Sequence, residues 1–176
     1  MNKLSLRGPS AALKTWFNTL TLLAAVILLL LVQYRDTFSS IVQIWLRSDT
    51  FTHGFLIIPI SLWLIWRKRH QLRTIHPRPF YLGSVALLAL GFIWLLGHLA
   101  GVLVVQQYSL ILMIPVLVIT LLGVKMAVAL AFPLAFLLLA VPFGEILLPP
   151  LMEFTADFTI FALQLTGIPV YREGLF

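Results

Sequence analysis

Long apolar stretches are the feature that most restricts how this chain can fold. Five of them follow one another, at residues 16–32, 55–66, 81–99, 107–122 and 126–141. A helix that crosses a bilayer needs about 20 mostly apolar residues, because its backbone polar groups find no water there and must bond within the helix. The sequence therefore predicts an all-α, polytopic integral membrane protein with about five transmembrane helices.

The composition agrees with this prediction and excludes other classes of protein. Hydrophobic residues make up 61% of the 176 residues and charged residues only 10%, whereas a soluble domain has about half and a quarter. The chain has no cysteine, which excludes disulfides, thiolate metal ligands and a cysteine nucleophile within these residues. Neither a glycine-rich phosphate loop nor a zinc-ligand spacing occurs, so we predict no cofactor and no metal.

The charged residues divide between the two sides of the predicted membrane domain. With the amino terminus in the cytoplasm, one side carries nine basic residues and no acid, and the other carries three arginines and all six acids. The basic residues of the first side are Lys3, Arg7, Lys14, Arg67, Lys68, Arg69, Arg73, Arg78 and Lys125. The positive-inside rule therefore predicts a cytoplasmic amino terminus and explains the net charge of +6 without a nucleic acid partner.

Two segments have the composition of helices that lie along the membrane surface. Residues 33–48 mix apolar and charged side chains, which predicts a short interfacial helix with Trp45 at headgroup depth. Residues 145–176 place the apolar side chains of Phe154 and Phe158 on one helix face and Glu153 and Asp157 on the other. We predict one membrane domain over residues 1–176, in which residues 145–176 form an outer amphipathic segment; a sixth span is the alternative.

Asp49 and His53 are candidate site residues at the predicted outer boundary of the second span. They lie four residues apart, so on a helix they share a face and the carboxylate can orient the imidazole. The alternative is that Asp49 caps the helix and His53 bonds to a carbonyl or a lipid headgroup. At the opposite end of this span, the basic run at residues 67–73 can anchor the topology or bind anionic membrane lipids.

Three stretches of the sequence, taken in order, resemble the exosortases. The first is Ser-Asp-Thr-Phe-Thr-His-Gly-Phe at residues 48–55, which is followed by Trp66 and Arg67. The second combines Phe132 and Pro133 with Pro-Phe-Gly at residues 142–144. The third runs from Pro150 and Leu151 to Gly-Ile-Pro-Val-Tyr-Arg-Glu-Gly at residues 167–174 and is the most specific. The resemblance covers residues 48–176.

The resemblance implies an activity as well as a fold. Exosortases are multi-pass proteins of the bacterial inner membrane that act as cysteine transpeptidases or proteases. Their substrates are secreted proteins with a PEP-CTERM sorting signal, which consists of a Pro-Glu-Pro motif, a membrane helix and a basic tail. Their genes often accompany genes for exopolysaccharide production. A member of this family needs no cofactor for that chemistry.

The family's catalytic Cys, Arg and His lie downstream of the Arg-Glu-Gly element. This chain ends two residues after Gly174, so we expect an amino-terminal portion that has no catalytic residue and works with a carboxy-terminal region of the same protein. Arg172 and Glu173 are candidate substrate-binding residues, with Arg172 receiving a substrate carboxylate through paired hydrogen bonds. The alternative is a local ion pair of Arg172 with Glu173 or Asp157.

A function without catalysis is the second hypothesis for the whole chain. A membrane scaffold, such as a subunit of a polysaccharide export complex, requires no cysteine and fits the same apolar helices. The two hypotheses differ in whether a Cys, an Arg and a His act together with these residues.

Overall fold

A computed structural model describes residues 9–142 and 148–167 of the chain, and these residues form helices without any strand. The all-α fold predicted from the sequence is therefore confirmed. The chain forms two compact units, Met1–Val141 and Pro142–Phe176. The helices of the first unit are α1 (Pro9–Gln33), α2 (Arg35–Arg47), α3 (Gly54–Arg67), α4 (Arg69–Arg73), α5 (Gly83–Leu99), α6 (Leu103–Leu122), α7 (Val124–Ala129) and α8 (Ala131–Phe136).

Three helical segments among the described residues are long and apolar enough to cross a membrane. They are Trp16–Gln33, Asp49–Arg67 and Leu103–Leu122, and they correspond to the first, second and fourth apolar stretches of the sequence. Two shorter apolar helical segments, Gly83–Leu99 and Ala131–Ala140, correspond to the third and fifth. Helices α5 and α6 pack along each other because residues 100–102 form a tight turn, in which the Val102 amide donates to the Gly97 carbonyl at 2.8 Å.

The fifth apolar stretch is not the single helix that the sequence predicts. It is divided into α7, α8 and a 3₁₀ helix at Leu137–Ala140, with Leu130 in a non-helical conformation between α7 and α8. Proline has no amide hydrogen, so Pro133 cannot bond to the carbonyl of Ala129 in the preceding turn. The Lys68 ammonium donates to this carbonyl instead, with Nζ 2.6 Å from the oxygen. A cation from the end of α3 thus satisfies the helix at the point where proline interrupts it.

Helix α2 packs against protein, and the prediction that Trp45 lies among lipid headgroups is wrong. Thr37, Ile41 and Trp45 recur at four-residue intervals and form one buried face, on which Trp45 is only 4% exposed. This face contacts α6, and Ile41 and Trp45 share an apolar cluster with Ile57, Ile111, Ala140 and Val141. The amphipathic pattern correctly predicts a helix with one apolar face, but this face packs against the rest of the first unit.

The described residues of the second unit contain one helix, α9 (Leu148–Leu165). Glu153 and Asp157 are exposed on it, as are the large side chains of Phe154, Phe158 and Phe161. Its apolar content falls below that of the three long segments. The hydroxyl groups of Thr155 and Thr159 donate to carbonyls four residues back, at 2.7 and 2.8 Å, which satisfies them within the helix.

Candidate functional site

Asp49 and His53 occupy the turn that leads into α3. Asp49 begins a 3₁₀ helix at Asp49–Phe51, and His53 is the residue immediately before Gly54 starts α3. Both side chains are exposed. The His53 ring has Nδ1 2.9 Å from the carbonyl oxygen of Thr50. Because a carbonyl only accepts, this bond assigns the ring proton to Nδ1 and leaves Nε2 as the second polar atom of the imidazole.

The two residues do not act on each other in the way that their spacing suggested. Within the described residues no ion pair or hydrogen bond joins Asp49 to His53. The predicted helix cap is also wrong, because neither the 3₁₀ helix nor α3 receives a side-chain bond at its start. The physical reason is that Asp49–Phe51 forms a 3₁₀ helix with about three residues per turn, so residues four apart in this segment do not share a face as they would on an α-helix. His53 bonds to a carbonyl, which was the alternative left open by the sequence.

The apolar residues of the same motif hold this turn against α2. The indole of Trp45 packs directly on Gly54, where a Cβ atom would overlap the ring. Phe55 meets the same indole edge to face, with ring centroids 5.2 Å apart. In residues 48–55, glycine and phenylalanine thus serve packing, whereas the aspartate and histidine are left at the surface. This division of roles is what a binding turn on a rigid support requires.

Trp45 also connects this turn to the end of the fifth apolar stretch. Its indole Nε1 donates to the Ala140 carbonyl at 2.9 Å, and the bond is buried. Ala140 ends the 3₁₀ helix that follows α8, two residues before the Pro-Phe-Gly stretch of the sequence. The first motif and the approach to the second therefore meet at one indole ring, although 95 residues separate Trp45 from Ala140.

A cavity of about 370 Å³ opens beside the start of α2, and sequence reasoning missed it. We call it the Trp94 cavity; its walls include Gln33, Tyr34, Asp36, Thr37, Trp94, His98, Leu103 and Gln106. His98 stacks on Trp94 with centroids 5.1 Å apart, and Tyr34 meets Trp94 edge to face at 4.7 Å. The signal in the sequence was the presence of polar or aromatic side chains, Tyr34, His98 and Gln106, at the adjoining ends of three apolar stretches.

Buried polar contacts fix the position of α2 beside this cavity. The Trp94 indole donates to the Thr37 hydroxyl at 3.0 Å, and the Gln107 amide nitrogen donates to the Ser40 hydroxyl at 3.0 Å. Gln107 is fully buried in α6, and its Oε1 has no hydrogen-bond partner among the described residues. Such polar contacts between helices hold them in one register inside a membrane. Helix α2 is therefore bonded to α5, α6 and the segment at Ala140.

The described residues offer binding groups more than catalytic ones. They contain no cluster of three or more His, Cys, Asp or Glu side chains that could hold a metal ion. The exposed carboxylate, imidazole and aromatic groups can bind a peptide by hydrogen bonds and stacking. Arg172 and Glu173, the other two candidate residues, lie outside the described residues.

Comparison with known proteins identifies the family. The family model for transmembrane exosortase, Exosortase_EpsH, matches residues 45–176, which is most of the chain. No curated protein and no solved structure gives a match. The match begins at Trp45, the residue whose indole joins the motif at residues 48–55 to Ala140, and it includes all three stretches noted in the sequence. The chain is a helical multi-pass membrane protein, and it belongs to the transmembrane exosortase family.

Proposed function

We propose that this chain forms the membrane and substrate-receiving portion of an exosortase that processes secreted proteins with a PEP-CTERM sorting signal. The observation that carries the proposal is the family match over residues 45–176, together with the exposed Asp49 and His53 on a turn that Trp45 holds through Gly54 and Ala140. A link to exopolysaccharide production follows from the same family and belongs to the proposal.

The proposed reaction is cleavage or transfer by a cysteine thiolate. The chain itself has no cysteine, so no residue in it can form the thioacyl intermediate. In exosortases the Cys, Arg and His lie beyond the Arg-Glu-Gly element, and we assign catalysis to such a region of the same protein. Asp49, His53, Arg172 and Glu173 are then substrate-binding residues, and the first two offer a carboxylate and an imidazole to a peptide backbone.

The proposed placement follows from charge. We place the protein in a bacterial inner membrane with a cytoplasmic amino terminus, because the basic residues at 67–73 and Arg78 then lie inside and the acids lie outside. Five segments cross the bilayer in this arrangement. Residues 145–176 belong to the same membrane domain and rest on the outer surface, where α9 presents its phenylalanines to lipid and its two acids to water. Partners are the tagged proteins and membrane lipids, without nucleic acid.

A secreted reporter with a PEP-CTERM signal tests this function. The chain is expressed alone and together with a carboxy-terminal exosortase region that supplies Cys, Arg and His, and reporter length is read on a gel. We expect a shortened reporter only in the second case. Processing by the chain alone would contradict the cysteine mechanism.

A membrane scaffold for polysaccharide export is the second candidate. Deletion of the gene in a strain that expresses the same reporter distinguishes it from the first. A scaffold predicts loss of exported polysaccharide on deletion of the gene while reporter processing is unaffected. Loss of processing that is restored by the wild-type gene, and not by a gene in which the downstream cysteine is replaced by serine, supports the exosortase assignment.

A further inference from the structure

A second cavity lies at the far end of α6 from the Trp94 cavity. Its volume is about 540 Å³, and it is bounded by the loop before α5 and by the junction of α6 and α7. We call it the Arg78 cavity; its walls include Ile75, Arg78, Phe80, Gly123, Val124 and Lys125. Because α6 is long and apolar enough to span a membrane, a cavity at its end lies at the depth of lipid headgroups.

The loop that carries Arg78 is held in place by the end of α6. The last carbonyls of a helix have no partner within it. Here the amide of Arg78 donates to the Leu122 carbonyl at 3.2 Å, and the amide of Phe80 donates to the Thr120 carbonyl at 3.0 Å. Pro77 and Pro79 have no amide hydrogen, so the loop donates only through every second residue. These donors, the amides of Arg78 and Phe80, both bond to the end of α6.

Glycine at position 123 permits this close approach. Gly123 has φ +90°, a conformation that other residues rarely adopt, and a Cβ atom there would overlap the carbonyl oxygen of Arg78. The backbones of the loop and of the α6–α7 junction therefore touch. As a result Arg78 and Lys125, which are 47 positions apart in the sequence, line the same cavity.

The charges of the cavity walls are all of one sign. They belong to Arg78 and Lys125, and the described wall residues include no acidic side chain. Arg78 and Lys125 are exposed, and neither forms an ion pair within the described part of the chain. Bringing fixed positive charges together without a counter-charge is unfavourable, and an anion relieves this repulsion. The apolar walls at Ile75, Phe80 and Val124 suit the glycerol and acyl parts of a lipid.

The geometry points to a binding site for the phosphate of an anionic phospholipid in the Arg78 cavity. Arg78 contacts two phosphate oxygens through its planar guanidinium, and Lys125 adds a second positive charge from the other wall. Basic pockets at the ends of membrane helices are suited to such headgroups. This site is separate from the basic run at residues 67–73, none of which lines the cavity. It also does not depend on the proposed processing activity.

Native mass spectrometry of the purified chain tests the site. The protein is exchanged into detergent with either phosphatidylglycerol or phosphatidylcholine, and the fraction that keeps one lipid is measured. We expect wild type to retain phosphatidylglycerol at least about fivefold better. Arg78→Gln and Lys125→Gln should each remove most of this preference, and both variants keep the backbone bonds that hold the loop.

Arg47→Gln is the matched control, because it removes one positive charge from an exposed residue that belongs neither to the cavity nor to the basic run at residues 67–73. Loss of the preference in Arg47→Gln to the same extent as in Arg78→Gln would overturn the site and leave a general attraction to anionic lipid. Equal retention of the two lipids by wild type would overturn it as well.

Inorganic phosphate is added in a separate arm. Displacement of phosphatidylglycerol by phosphate at equal concentration would assign the cavity to a free anion and contradict the lipid proposal.

Discussion

The indole nitrogen of Trp45 bonds to the main-chain carbonyl of Ala140 in a buried contact of 2.9 Å. Helices α3, α5, α6 and α8 all lie between these two residues in the sequence, so the bond joins the two ends of a long helical segment. A buried carbonyl that loses its donor is left unpaired, at a cost of about 1–3 kcal/mol. The stability of the first unit should therefore depend on this bond.

Trp45→Phe keeps an aromatic ring beside Gly54 and Phe55 but removes the donor. We expect the free energy of unfolding to fall by about 1–3 kcal/mol, measured by thermal or denaturant unfolding in one detergent. Trp63→Phe is the control, since Trp63 is 52% exposed in α3, and it should change stability by less than about 0.5 kcal/mol. Equal effects of the two substitutions would show that the bond to Ala140 contributes little.

Gly54→Ala places a methyl group where the Trp45 indole lies. We expect a loss of about 1–3 kcal/mol of unfolding free energy, because a rigid ring cannot move away without disturbing the bond to Ala140. Gly91→Ala is the matched control, because at Gly91 the nearest atom, the Tyr34 hydroxyl, is 3.9 Å from an added Cβ. Its effect should be near zero or stabilising by up to about 1 kcal/mol. Tolerance of alanine at both positions would contradict the packing described for Gly54.

Lys68 and Pro133 should be coupled energetically through the carbonyl of Ala129. Lys68→Met removes a charged hydrogen bond of 2.6 Å and should cost about 1.5–3 kcal/mol. In a Pro133→Ala background the amide of residue 133 can satisfy that carbonyl, so the same substitution should cost at least about 1 kcal/mol less. A double-mutant cycle of unfolding free energies measures the difference. Additive losses would mean that Lys68 does not replace the bond that proline removes.

Asp49 and His53 should affect processing and leave stability unchanged. Both are exposed, and His53 bonds only locally to the Thr50 carbonyl among the described residues. In a full-length exosortase, Asp49→Asn and His53→Asn should shift the melting temperature by no more than about 2 °C. Each should reduce the rate of reporter processing, and the losses should add because the two side chains do not touch. Wild-type rates in both variants would remove them from the proposed site.

Membrane orientation can be tested with single introduced cysteines, since the chain has none of its own. Thr50→Cys and Gln71→Cys are at exposed positions on opposite ends of α3. An impermeant maleimide should label the first in intact cells and the second only after lysis. Thr166→Cys, just after α9, should label in intact cells if α9 rests on the outer surface, and its protection would instead favour a sixth span. Labelling of Gln71→Cys in intact cells would reverse the proposed orientation.

The apolar stretches predicted the helical segments well because a membrane helix is recognised by the mean hydropathy of about 20 residues, which no single residue decides. The sequence could not predict the division of the fifth stretch, because that depends on how Lys68 reaches a carbonyl 61 residues away. It also assigned Trp45 to the headgroups. An amphipathic helix has the same pattern whether its apolar face meets lipid or protein, and only the tertiary structure distinguishes the two.

The candidate site was predicted in part for a similar reason. The types of side chain in residues 48–55 indicated a polar turn at a helix start, and the turn is there. The pairing of Asp49 with His53 assumed an α-helix from Asp49 onward, whereas Asp49–Phe51 forms a 3₁₀ helix and α3 begins at Gly54. The Trp94 cavity joins side chains from α2, α5 and α6, so no short-range pattern could place its walls together.

The contact between Trp45 and Ala140 has a consequence for how sequences of this family can diverge. The acceptor is a backbone atom, so any residue at position 140 supplies it. Only the size of the side chain is restricted there, and glycine or serine can replace alanine without loss of the bond. The restriction at residue 54 is different, because the indole fills the space that any side chain would need. Positions 45 and 54 should therefore change together among relatives, with a smaller ring at 45 wherever 54 is not glycine. Position 140 should drift independently of both.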